Sequence, residues 1–425
     1  MFELIRANKI KSWILILGLT SVLVVLGLII GEVVAPGGGG IVGVAIAVVI
    51  AAFMNLLAYY GGGSMVLAMS AAKEIEHKDS PQLFNVVEEM SIAAGIPMPK
   101  VYLIDDMAMN AFATGRDPQH AAVAITKGLL VKLNRDELQG VMAHEMSHVK
   151  NRDMLYMTLA VVLVGTVVLL ADLFLRGMWY SGAGGRRRRS SRDQGGAQAI
   201  LIIIGIIVAI LAPLIARLLY LACSRRREYL ADASAAALTR YPEGLASALE
   251  KLSGDREILE TANRATAHLY IVHPVRSLEE KASAMMSTHP PIQERIAILR
   301  NMGHTASMGD YQTAWQRYHQ GQRLASAKAL AGAPPPLPVR AAAGKPSSQE
   351  TKEDRLRRAH GALDTFRRLG GFLFLACACG TKLKIPPGYT RGKVKCPRCG
   401  AEHDVAEAKE AAAETAEGTK GTKGT

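Results

Sequence analysis

Apolar residues in this chain are concentrated in four long runs: Trp13 to Ile30, Ile41 to Tyr60, Met154 to Ala171 and Ala199 to Ala222. Each is near or above the length at which an α-helix crosses a hydrocarbon layer. A soluble core can hide one such run, but four predict a multi-pass α-helical membrane protein. The first run is longer than a signal-peptide core and a second follows closely, so residues 1–64 read as two transmembrane helices, about 13–30 and 41–60. The second pair, about 154–171 and 199–222, reads as a membrane hairpin interrupting a soluble domain over 65–323.

Between the runs the pattern shortens. Ser80 to Ala94 puts Leu83, Val86, Val87 and Met90 on one helical face, and Gly95-Ile96-Pro97 stops it. Extended segments are expected at Lys100 to Asp105, Asn110 to Gly115 and His120 to Thr126. A helix opens at Asn134, where Asn134-Arg135-Asp136-Glu137 has the form of a capping box, and is expected to run almost directly into the third apolar run at Met154. Arg225 to Leu238 and Pro290 to Asn301 read as further helices. The fold class is therefore mainly α with a small β-sheet. Alanine, proline and charge over 324–371 predict a linker, 372–404 a compact cysteine module, and 405–425 a disordered tail.

Charge orients the chain. The formal net charge of +13 comes in part from clusters beside the apolar runs, at Arg6/Lys9/Lys11, Arg186 to Arg189 and Arg225 to Arg227. That placement fits membrane topology and anionic lipid better than nucleic acid. By the positive-inside rule the N-terminus and the soluble domain face the cytoplasm from the inner membrane. Six arginines in Arg176 to Gln198 oppose the count, because a crossing hairpin puts them outside. A crossing pair is still the expectation, since both runs are long enough.

Chemistry gathers at His144-Glu145-Met146-Ser147-His148. On a helix, a spacing of four puts both imidazoles on one face, where both can reach one tetrahedral zinc. Glu145 stands beside that face as a general base for water, the division of labour in H-E-x-x-H metallopeptidases. A catalytic zinc needs a third protein ligand, and Glu228 is the choice. It precedes Asp232 by four, so a helix turns both the same way, one toward the metal and the other toward a ligand histidine's second nitrogen. A salt bridge from Glu228 to Arg225 is the competing role.

Four motifs in order, Asn110-Ala111-Phe112-Ala113-Thr114-Gly115, the histidine pentapeptide, Arg227-Glu228-Tyr229-Leu230-Ala231-Asp232 and Ser287-Thr288-His289-Pro290-Pro291, together resemble HtpX-type membrane zinc metalloproteases. These are relatives of the CaaX prenyl proteases, and the likeness covers roughly residues 1 to 320. The resemblance implies a gluzincin-like domain facing the cytoplasm, endopeptidase activity and membrane-protein quality control. It makes Glu228 the third ligand and Glu145 the general base. It also implies that His289 helps hold the oxyanion and that Asn110 helps bind substrate. From the residues alone, His289 equally begins the Pro290 helix. The extended stretch through Ala111 and Ala113 could take a substrate as an added strand or be plain sheet.

Four of the five cysteines form two close pairs, Cys377/Cys379 and Cys396/Cys399. This is metal spacing, so a second, structural zinc in a four-cysteine ribbon is expected, in a reducing compartment. Its lysines admit nucleic acid, but without an interleaved aromatic platform a protein partner fits at least as well. The ribbon departs from the basic HtpX pattern. Two other readings stand beside a membrane-bound endopeptidase acting on membrane or misfolded proteins: a catalytically silent adaptor recruiting partners through its ribbon, and a CaaX-type processing protease.

Overall fold

A computed structural model describes residues 37–159, 225–255, 257–260, 269–272, 289–303, 305–326, 336–342 and 351–405, with scattered positions between 6 and 35 and at 266 and 330. Its first long element, α1 (Gly39–Met69), leaves Ile41, Val49, Phe53 and Tyr60 exposed. Among the described residues it is the one helix long and apolar enough to cross a membrane. Positions of the first run are helical where described and meet α1 through small residues. A Cβ at Gly31 would lie 2.2 Å from the Gly39 carbonyl oxygen, so the two backbones touch as in small-residue membrane packing. The third run beyond 159, the fourth run and the tail after 405 lie outside the described residues.

The helix α1 does not stop with its apolar stretch. It continues past Tyr60 to Met69, and Val66 and Leu67 enter a core with Ile104, Phe112, Tyr156 and Tyr270. Next come β1 (Lys73–Glu74), α2 (Pro81–Ala94), β2 (Lys100–Ile104), β3 (Ala111–Gly115), β4 (Ala121–Thr126) and α3 (Lys127–Lys132). The helix α2 buries the expected Leu83, Val86, Val87 and Met90 and ends on left-handed Gly95. The strands form one sheet in the order β1-β2-β4-β3, with β2 parallel and β3 antiparallel to β4. Thus, among the described strands, β3 lies at the edge of the sheet.

Behind that edge runs α4 (Arg135–Asn151). Its capping box is reciprocal: the Glu137 N–H donates to Asn134 Oδ1 at 2.9 Å and the Asn134 N–H to Glu137 Oε2 at 2.7 Å. Such a cap stabilises a helix start by about 1 kcal/mol. The motif helix meets the third apolar run almost directly, as expected, but through a one-residue break. Arg152 adopts a left-handed φ of 58°, its N–H caps the carbonyls of His148 and Val149, and a new helix starts at Asp153. Among the described residues four helices follow: α5 (Arg225–Thr239), α6 (Pro242–Gly254), α7 (Ile292–Arg300) and α8 (Met308–Tyr318). Gly140 lets α6 approach closely, since a Cβ there would sit 2.6 Å from the Leu245 nitrogen.

The stretch 324–371 differs from the linker expected of it. Residues 336–342 strap back onto the domain, with Arg340 reaching Asp136 at 2.9 Å and Gln139 at 2.6 Å. Helix α9 (Lys352–Leu369) has its own capping box on Thr351 and docks through Thr365, whose hydroxyl donates to the Asp79 carbonyl at 2.8 Å. Its composition reads as linker because only one narrow side is buried, at Ala362 and Thr365. Two small hairpins follow, β5 (Leu373–Ala376) with β6 (Lys382–Ile385) and β7 (Lys393–Lys395) with β8 (Glu402–Asp404).

Candidate active site

The helices α4 and α5 pack side by side and place His144, Glu145, His148, Glu228 and Asp232 in one buried cluster. His144 Nε2 lies 3.2 Å from His148 Nε2 and 3.5 Å from Glu228 Oε2, and His148 Nε2 lies 3.6 Å from Glu228 Oε1. The outer ring nitrogens face carboxylates: His144 Nδ1 is 2.9 Å from Asp232 and His148 Nδ1 is 3.1 Å from Asp153. Each carboxylate accepts a hydrogen bond from an Nδ1–H, the tautomer that leaves both inner nitrogens as acceptors beside a third acceptor, Glu228. Three mutually repelling acceptors need a cation. The separations match the edges of a tetrahedron of nitrogen and oxygen ligands around zinc, about 3.3 Å for bonds of about 2.0–2.1 Å.

Electrostatics agree. Burial alone would depress His144, but its hydrogen bonds to Asp232 and Glu228 outweigh that and hold it up to about 9. Burial would raise Glu228, yet the His144 hydrogen bond and the charges of His289, His148 and His144 hold its carboxyl well below the usual carboxylate range. The site therefore stabilises positive charge at its centre. Glu145 is the exception, raised by burial, with the nearby charges of His144 and His148 opposing the shift and the backbone N–H of Ala113 on β3 facing its carboxylate.

Other expected residues fall into two groups. His289 is buried and near enough for its charge to act on Glu228. Asn110 and Ala111 are already engaged by residues 269–272. Asn110 Nδ2 donates to the Val272 carbonyl at 2.8 Å, and the Ile271 N–H donates to the Ala111 carbonyl at 3.1 Å. Farther along, Gly63 of α1 abuts Gly115, a Cβ there lying 3.4 Å from Gly115 Cα. Ala113 stands between these two covers.

Two residues of the site have no counterpart in the sequence reading. Asp153 orients His148, but at five residues' distance an unbroken helix would carry it off the His148 face; the turn at Arg152 returns it. Arg295, 1% exposed, grips Asp232 with two bonds, Nε to Oδ2 at 2.8 Å and Nη2 to Oδ1 at 2.7 Å. Its signal is an arginine at helical spacing with Ile292, Ile296 and Leu299, where the pattern calls for an apolar residue.

Residues 77–303 match Peptidase family M48. The chain belongs to that family. "Protease HtpX homolog" from Dictyoglomus turgidum is 48% identical over 309 residues, covering 73% of this chain and 97% of that protein. The protein of the same description from Listeria monocytogenes serotype 4b is 46% identical over 306 residues, covering 71% of this chain and 100% of its own. The crystal structure of S. mikatae Ste24p aligns at TM-score 0.37 and 20% identity over 70% of this chain and 67% of that one, too loosely to carry weight. The M48 peptidase described here is a zinc metalloendopeptidase, and its His144/His148/Glu228 cluster fits the catalytic ion. The silent-adaptor and CaaX-processing alternatives are not favoured. Helix α9 and the cysteine module lie beyond the matched residues.

Proposed function

We propose that this M48 peptidase is a multi-pass protein of the inner membrane that cuts membrane or misfolded polypeptides at the cytoplasmic face, in protein quality control. The observation carrying the site assignment is the triangle of acceptors at His144, His148 and Glu228, 3.2–3.6 Å on a side, with Glu145 next in sequence. Zinc bound there supplies the positive charge that polarises a peptide carbonyl and acidifies water.

The remaining steps belong to the chain. Glu145, raised by burial, takes a proton from the attacking water and returns it to the leaving amine nitrogen. His289 donates to the oxyanion that develops on the carbonyl. Asp232 and Asp153 keep the two imidazoles in the tautomer that faces the metal. A substrate in extended form adds to β3 at Ala113 and, by displacing residues 269–272, reaches Asn110 and Ala111.

The cysteine module is assigned a structural zinc. Cys377 and Cys399 sulfurs lie 3.4 Å apart and Cys379 and Cys396 sulfurs 3.6 Å apart. The Cys399 and Arg398 backbone N–H groups push the Cys396 thiol down to about 6, which favours the thiolate that zinc requires. With all four positions filled, this ion performs no chemistry, and the module serves to dock a protein partner or substrate. The deciding experiment is Glu145→Gln in the full chain. Casein cleavage should fall at least about 100-fold while both zincs stay bound. Undiminished cleavage would remove Glu145 from the mechanism.

A further inference from the structure

Residues 269–272 do to β3 what a bound polypeptide would do. The Ile271 N–H donates to the Ala111 carbonyl at 3.1 Å. Beside it the Asn110 side chain pairs with the next peptide unit, Nδ2 donating to the Val272 carbonyl at 2.8 Å and Oδ1 accepting from the Val272 N–H at 3.4 Å. Such main-chain pairing ignores sequence, so any selectivity comes from where the side chains go. They go to opposite sides, as on a strand. Tyr270, 0% exposed, joins the core that holds Val66 and Phe112, its ring edge-on to Phe112 at 5.1 Å and its hydroxyl 3.3 Å from Ser70 Oγ. Ile271, 2% exposed, joins the other core, with Ala111 and Met146.

The segment also touches the support of the metal site. The Ile271 carbonyl accepts from Arg295 Nη1 at 3.3 Å, and the same guanidinium grips Asp232, which holds His144. We propose that residues 269–272 are an internal substrate mimic. They occupy the peptide site of β3 until a substrate displaces them, and the two buried positions they leave select an aromatic residue followed by a β-branched aliphatic one. The inference rests on β3 as the substrate strand and adds to it a substrate class, extended apolar segments, together with a built-in competitor. Because the competitor is part of the chain, it acts at a high effective concentration and raises the apparent KM without altering kcat.

The full-length, zinc-loaded protein in detergent, cutting a quenched-fluorescent peptide, provides the test. Ile271→Ala removes one buried anchor of the mimic and should lower the apparent KM at least about fivefold with kcat unchanged. On the unaltered protein, where folding of a variant is not in question, the free peptide Leu-Tyr-Ile-Val should inhibit competitively and about tenfold more strongly than Leu-Ala-Ala-Val. Equal inhibition by the two peptides, or a KM that does not fall in a zinc-loaded, folded Ile271→Ala protein, overturns the proposal. N-methylation of successive substrate amides separates its failure from that of the strand reading. If N-methylation raises KM while the two peptides inhibit equally, β3 takes the substrate and only the mimic is refuted. If no position responds, strand addition fails and the mimic fails with it.

Discussion

Asp232 holds two partners with one oxygen: Oδ1 is 2.9 Å from His144 Nδ1 and 2.7 Å from Arg295 Nη2. His148, by contrast, relies on Asp153 at 3.1 Å. The two motif histidines are therefore held by unequal supports. Asp153→Asn should lower zinc affinity about 10–100-fold without unfolding the domain. Chelator competition, with thermal unfolding of the zinc-loaded protein as a control, measures both.

Arg295 makes the other support hard to change. Arg295→Met leaves Asp232 buried beside Glu228 with the His144 Nδ1–H as its remaining partner and Oδ2 without its donor, and the loss should be about 3–5 kcal/mol. Asp232→Asn should cost a similar amount, because it strands the guanidinium instead. Denaturant unfolding of both single variants and the double variant tests this, and the double should be less damaged than the sum of the singles.

Gly140→Ala should destabilise by about 1–3 kcal/mol through overpacking alone, since the new methyl meets backbone rather than a side chain that can move. Its signature is a lower unfolding midpoint with an unaltered zinc stoichiometry.

The attachment of the cysteine module to α9 should depend on pH. Burial would raise the Asp364 carboxyl, but the hydrogen bond and charge of Lys384, 2.6 Å away, and then those of Arg367, hold it below its ordinary 3.8. A carboxyl depressed in the folded state stabilises above its unfolded value and loses that contribution as pH falls through the folded one. Protection of the α9–ribbon junction from protease should stay level from about pH 8 to pH 5. Below about pH 4 it should decline. The variant Asp364→Asn should be looser at pH 7, which separates this effect from acid release of zinc.

Much of the domain was legible because its signals are local. The cap at Asn134, the stop at Gly95 and the spacing of His144 and His148 each depend on a few neighbouring residues. Glu228 and Asp232 were legible because two carboxylates four apart on a helix have a geometric meaning. Asp153 was hidden by a single left-handed residue, Arg152, which breaks the period on which face arguments rest. The docking of α9 was hidden too, because a helix gripped along one narrow side keeps a polar composition. The engagement of Asn110 by Val272 joins segments 162 residues apart, and no periodicity carries that information.

Gly63 meets Gly115 on the same rigid helix that leaves Tyr60 facing outward, so the anchor and the edge strand beside Glu145 cannot shift independently. The blade is mounted at a fixed height. In a membrane-inserted substrate, the cut should fall at a set number of residues from the point where the chain emerges, whatever the side chains there, as though measured by a ruler. Moving a cleavable sequence outward by a few residues should then move the cut off that sequence and leave its distance from the bilayer unchanged.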